Sequence, residues 1–172
     1  MTQTTAWKVK HKLKQVMLER DASRQLIGRV EIDDAYLGGE RSGGKRGRGA
    51  AGKTPFVAPV EISRDGKPVR IKLGRVSAFS NQALSAFDKR YLGPSCSVVR
   101  DGCQCFASVT VAGCTHQAIK TVGGVTPVRK PASKWVNTAL GNIKAAIVGT
   151  YRSFNSKHVP RYLAEFEYRC NR

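Results

Sequence analysis

Three short stretches hold the residues whose types and spacing could do chemistry: the adjacent carboxylates Asp33 and Asp34, then Asp101, then the pair Asn137 and Lys144. The first two lie in VEIDDAYL, Val30 to Leu37, a β-rich run that meets Gly38 and Gly39. Strand alternation puts Asp33 and Asp34 on opposite faces. A carboxylate in the middle of a strand is costly to bury unless it is paired or binds a metal. One of the two is therefore expected to have a job, and a solvated edge strand is the plain alternative. Asp101 ends the apolar run CSVVRDG, behind Val98 and Val99, and Gly102 turns the chain. The carboxyl ends of central strands are where α/β folds place their chemistry, so Asp101 outranks Asp65 and Asp88, which read as turn and surface residues.

Asn137 and Lys144 belong to the stretch Trp135 to Tyr151. There Val136, Leu140, Ile143 and Ile147 recur at helical spacing, which predicts a helix packed on a core. Asn137 and Lys144 lie off that stripe. Seven residues is nearly two turns, so both point the same way, roughly 10 Å apart along the axis. That spacing suits one metal ligand and one phosphate contact. An ordinary amphipathic helix with a solvated Asn and Lys fits the same letters.

The elements that must position these residues follow from periodicity and punctuation. Residues 4–20 read as a helix with Thr4 or Thr5 as cap, Val9, Leu13, Val16 and Met17 as apolar stripe, and Lys8, Lys10, Lys12 and Lys14 as decoration. TPFVAPVEIS and PVRIKLGRVS flank the turn signal Arg64 to Lys67, which predicts a hairpin. Ser80 can cap a helix, NQALSAFDKRYL, with Ala83, Leu84, Phe87 and Tyr91 inward and Gly93-Pro94 at its end. After Asp101 come a short segment, CFASVTVAG, and a further strand, THQAIKTV.

Composition supplies the class of partner. Thirty Lys and Arg against 12 Asp and Glu give a formal charge of +18, a surface for polyanions. Nucleic acid is the default and a membrane surface the lesser option. No apolar run approaches a signal sequence or a membrane span, so a cytoplasmic, nucleoid-associated protein without membrane contact is expected. Residues 38–53 carry seven glycines with Arg41, Lys45, Arg46, Arg48 and Lys53. No core can form there; the stretch reads as a flexible connector or a basic loop that orders on phosphate. The five cysteines are odd in number and argue for reduced thiols. Cys103, Cys105, Cys114 and His116 could nominally ligate zinc, but C-x-C followed by C-x-H is not a common structural-zinc spacing.

The order of elements is three strands, helix, strand, short helix, strand, helix. This is the order of the RNase H-like, retroviral-integrase-like fold: an α/β domain with a mixed five-stranded sheet and flanking helices. In that fold the first and fourth strands are neighbours, so Asp33 and Asp101 are expected to converge. Two carboxylates in one site repel unless a cation lies between them. Hard oxygen donors select Mg²⁺ or Mn²⁺ over zinc.

Several motifs together resemble the catalytic domain of insertion-sequence DDE transposases, specifically the ISXO-like family with an Asp-Asp-Asn triad and a following lysine. VEIDDAYLGG resembles the first block and makes Asp33 the catalytic aspartate, with Asp34 a variable neighbour. VVRDG resembles the second block, at Asp101, and NTALGNIK the third, from Asn137 to Lys144. Between Asp101 and Asn137 lie 35 residues, the separation that names the D-D-35-E class. The tail from Gly149 to Arg172 is similar to the closing signature. Cys103 and Cys105 replace bulkier residues that are usual after the DG pair. The likeness makes 28–172 the catalytic domain, and 1–27 a basic helix and linker that read as the remnant of an N-terminal DNA-binding region.

The resemblance implies strand cleavage at transposon ends and joining of the freed 3′-hydroxyl to target DNA. It implies two Mg²⁺ or Mn²⁺ ions held by Asp33, Asp101 and Asn137, with Lys144 on a phosphate near the scissile bond. The basic residues Arg41 to Lys53 would grip flanking duplex. Partners are the terminal inverted repeats, target DNA and further copies of the chain. The alternatives are an inactive transposase-derived DNA-binding protein and a nuclease of the same fold.

Overall fold

A computed structural model describes residues 1–38, 52–101, 114–119, 133–151 and 155–172. The elements in chain order are α1 (Gln3–Arg20), β1 (Arg29–Leu37), β2 (Thr54–Ile62), β3 (Pro68–Ile71), β4 (Gly74–Arg75), α2 (Asn81–Tyr91), β5 (Ser97–Asp101), β6 (Thr115–Ile119), α3 (Lys134–Thr150) and α4 (Val159–Cys170). A 3₁₀ turn, Ser156–His158, leads into α4. The short helix expected after Asp101 lies outside the described residues.

The strands form one mixed sheet in the order β3-β2-β1-β5-β6, with β4 also pairing to β2. β1 is central. It runs antiparallel to β2 and parallel to β5, and β5 runs parallel to β6. Strand alternation then sorts the core into two layers. Val30 and Ile32 pack with Val57, Val98, Leu84 and Phe87 beneath α2. Ala35 and Leu37 pack with Phe56, Ala58 and Val60 beneath α3 and α4. The mixed sheet with helices on both faces is the RNase H-like architecture expected from the element order.

The hairpin turn forms as its letters imply. Gly66 takes φ +74°, the left-handed region that glycine enters without cost, and Ser63 and Lys67 close the loop with an N–H to carbonyl bond of 2.8 Å. The third strand is nevertheless broken into β3 and β4. At the break Lys72 turns inward to Glu167 at 2.8 Å, and Glu167 Oε2 accepts the Leu73 N–H at 2.8 Å. A side-chain carboxylate has replaced a strand partner there. Asn171 does the same at Ile71, accepting its N–H at 2.8 Å and donating to its carbonyl at 3.0 Å. The C-terminal helix thus closes the edge strand that would otherwise invite another chain.

Two helix expectations hold in detail and one inverts. Ser80 caps α2, its Oγ accepting the Ala83 N–H at 3.3 Å, and α3 buries Val136, Leu140, Ile143 and Ile147 as its stripe. α1 begins earlier than expected, capped by Thr2, and its packed face is not apolar. His11 and Lys14 are buried, whereas Val9, Leu13 and Val16 are 45%, 57% and 60% exposed. The reason is the surface α1 lies on. Lys14 pairs with Glu165 of α4 at 2.8 Å, Arg161 donates to Gln15 at 2.8 Å, and His11 packs its ring between Trp7, His158 and Tyr162. Asp88 also departs from its reading as a surface residue: it is buried beside Arg100, 3.6 Å away.

Candidate functional site

Asp33 lies in the middle of β1 and is half-buried. Its parity matches Glu31, Ala35 and Leu37, so it faces the layer covered by α3, while Asp34 shares the parity of Val30 and Ile32 on the α2 layer. Asp33 Oδ1 accepts the Asp34 backbone N–H at 2.8 Å. The β1–β5 ladder pairs Arg29 with Ser97 through Ile32 with Arg100. Continued by one residue, that register brings position 101 level with Asp33. Asp101 is the last residue of β5 and is paired with Ile119 of β6.

Asn137 and Lys144 are both exposed on α3, with Gly141 exposed between them. Seven residues at 100° each fall 20° short of two full turns, so the two side chains rise from one line on the helix. The direction of that line follows from the opposite flank. Ala139, Asn142 and Ala146 line a groove of about 480 Å³ whose other wall is Val69, Ile71 and Phe166. That flank therefore faces the β3 edge. The exposed Asn137 and Lys144 flank is turned the other way.

Glu31 connects the strand to this helix, and sequence reasoning passed over it. It is 1% exposed, two residues before Asp33 on the same face. Its Oε2 accepts the backbone N–H groups of Trp135 and Val136 at 2.9 and 3.1 Å. Ser133 at the N-cap makes no side-chain cap bond, so Glu31 satisfies N–H groups that a helix start leaves free. Burial pushes the Glu31 carboxyl above the usual carboxylate range, against the bonds from Val136 and Trp135 and the Arg29 charge, which pull it down. Arg29 is 4.0 Å away. The signal was present in the letters: Glu31 is the first of the three acids of VEIDD and shares the parity of Asp33.

Of the basic segment, Arg41, Lys45, Arg46 and Arg48 lie outside the described residues, and Lys53 is half-buried. Leu37 pairs with Thr54, so the segment leaves and rejoins the sheet at the carboxyl end of β1. Leu37 is four residue steps along the strand from Asp33, roughly 13 Å. Cys103 and Cys105, and the His116 side chain, also lie outside the description. Cys114 is buried, its Sγ donating to the Gly93 carbonyl at 3.5 Å. Among the described residues no group of three or more His, Cys, Asp or Glu could hold a metal ion, and no helix is long and apolar enough to cross a membrane.

Comparison with known proteins adds the family. Among solved structures, the catalytic core domain of BIV integrase is similar at 15% identity with a TM-score of 0.47, covering 79% of each chain. No curated protein matches the chain. The ISXO2-like transposase domain matches residues 25–171, a span that takes in β1, β5 and α3 together with every element between them. The chain belongs to the ISXO2-like transposase domain family.

Proposed function

We propose that the chain is a transposase that cleaves DNA strands at transposon ends and transfers the freed 3′-hydroxyl into target DNA, using two divalent ions. The observation that supports this reading is the parallel β1–β5 register, Arg29 with Ser97 through Ile32 with Arg100, which, continued by one residue, would set Asp33 beside position 101. Two carboxylates and an amide oxygen form a hard, all-oxygen donor set suited to Mg²⁺ or Mn²⁺. Asp33 and Asp101 would hold the ions between them, and Asn137 would add its amide oxygen to one. When bound, the ions supply Lewis-acid activation of the attacking oxygen and neutralise charge on the leaving oxygen.

The remaining work falls to the chain itself. Asn137 is neutral, so the donor set carries −2 rather than −3 and holds its second ion more weakly than three carboxylates would. Lys144, two turns along the same line, neutralises a phosphate near the scissile bond and fixes its position. Glu31 keeps the start of α3 against β1, which sets how far Asn137 stands from Asp33. Arg41, Lys45, Arg46, Arg48 and Lys53 would hold flanking duplex through phosphate contacts. The chain acts on paired ends as a homo-oligomer, in the cytoplasm on nucleoid DNA.

The test is a nicking and joining assay with Mn²⁺ on duplex DNA bearing the element's terminal repeats. Wild type is expected to produce cleaved and joined strands, and Asp33→Ala or Asp101→Ala to abolish both. Equal activity in those variants contradicts the proposal. DNA binding without turnover in wild type identifies a DNA-binding protein derived from a transposase instead.

A further inference from the structure

We propose that the outward face of α1 is an interface for a second copy of this chain, the two α1 helices packing antiparallel about a two-fold axis. The inference gives the homo-oligomer of the reading above its surface, and rests on that reading only for its use on DNA. Ala6, Val9, Leu13 and Val16 recur at steps of three, four and three, the a and d spacing of a coiled-coil seam. All four are exposed. Of the seven large hydrophobic residues left exposed among the described ones, four lie on α1, so the apolar surface is concentrated there. His11 and Lys14, which pack on Tyr162 and Glu165 of α4, lie roughly 160° around the axis from this stripe. A second helix can therefore reach the stripe with both domains turned outward.

Charge decides what covers the stripe and in which direction. Lys12 and Glu19 each stand just before an a position, on the same flank of the seam. Both are exposed, and Gln15 holds Glu19 by donating to its Oε1 at 2.7 Å. In an antiparallel pair an a residue meets a d residue, so Leu13 of each copy lies against Val16 of the other. Each flank then meets the same flank of its partner helix, which sets Lys12 beside Glu19 of the second copy, twice. The opposite flank pairs Lys10 with Met17, and no like charges meet. A parallel pair lacks this match: Lys12 would meet Met17, and Arg20, at the next a position, would meet Arg20. The surface is thus self-complementary in one orientation, as an isologous two-fold contact requires. A chain carrying +18 repels its copies, so association needs a local match of this kind.

The test is sedimentation velocity of the full chain without DNA, across about a hundredfold range of concentration. Wild type should pass from one chain toward two as concentration rises. Leu13→Gln and Val16→Gln should each raise the dissociation constant about tenfold or more, since every substitution is felt twice in a two-fold pair. Lys12→Glu sets like charges against each other and should weaken pairing about threefold to tenfold at low salt, although it lowers the net charge and with it the general repulsion. Combining it with Glu19→Lys should restore wild-type pairing. All four positions are exposed or half-buried at most on the outward face, and circular dichroism checks that the helix is kept. A monomer at every concentration overturns the inference. So does a dimer that Leu13→Gln and Val16→Gln leave intact, or a double exchange that pairs no better than Lys12→Glu alone. A dimer that persists in those variants leaves the homo-oligomer reading standing on another surface, and the nicking and joining assay tests the DNA chemistry separately.

Discussion

Glu31 and Asp33 are two carboxylates on one face of β1, a single side-chain step apart, and the protein treats them in opposite ways. Glu31 is sealed in and spends its acceptor oxygen on the backbone of α3. Asp33 is left half-buried, one residue beyond the last pair of the β1–β5 ladder, Ile32 with Arg100. The difference teaches a division of labour within one strand. The first acid holds the helix to the sheet, and the second is kept at the place the helix is held to. The proposed metal site would need both, since a ligand on α3 would be only as well placed as the helix start.

Breaking the second acid should have the largest effect on function. Asp33→Ala is expected to lower Mn²⁺-dependent strand cleavage by about 10³-fold or more, since metal-ion charge stabilisation is worth several kcal/mol and each 1.36 kcal/mol is a decade. Its unfolding midpoint in urea should stay near wild type. Breaking the first acid should reverse that profile. Glu31→Ala leaves two helix N–H groups without an acceptor at a buried junction, and chemical unfolding should show a loss of about 2 kcal/mol.

A finer distinction comes from pH. Burial raises the Glu31 carboxyl above its ordinary value, so the folded state holds that proton more tightly than the unfolded chain does. Its contribution to stability is complete below the ordinary carboxylate range and is lost as pH rises through the raised value. Unfolding free energies measured from pH 4 to 7 should therefore contain a downward component that Glu31→Gln removes. The smallest effect is expected at Asp34, whose parity places it on the α2 layer: Asp34→Asn should leave the Mn²⁺ concentration dependence of cleavage unchanged.

The letters carried α3, α2 and the hairpin because each obeys one local rule, a 3.6-residue stripe over a sheet, a serine cap or a glycine turn. The same rule misread α1, where Val9, Leu13 and Val16 are exposed and Lys14 is buried. What decides that face is α4, whose Glu165 and Tyr162 offer an ion pair and a ring, and α4 was not read as a helix in the tail. Glu31 escaped for a related reason. Its partners are backbone N–H groups more than a hundred residues away, and no spacing rule links a strand acid to a helix start so distant in sequence. The aspartates and Asn137 were singled out through the order of their motifs, and the structure adds that Asp33 shares the parity of the α3 layer and that β5 runs parallel beside β1. The side chain of Asp101 and the residues from Arg41 to Arg48 lie outside the description.

The most direct test of the account is calorimetric titration of the full chain with Mn²⁺, run on wild type, Asp33→Ala and Asn137→Ala. Wild type should bind, Asp33→Ala should lose binding, and Asn137→Ala should retain only the tighter part of the isotherm. Identical isotherms for all three proteins would contradict the claim that these residues hold the metal.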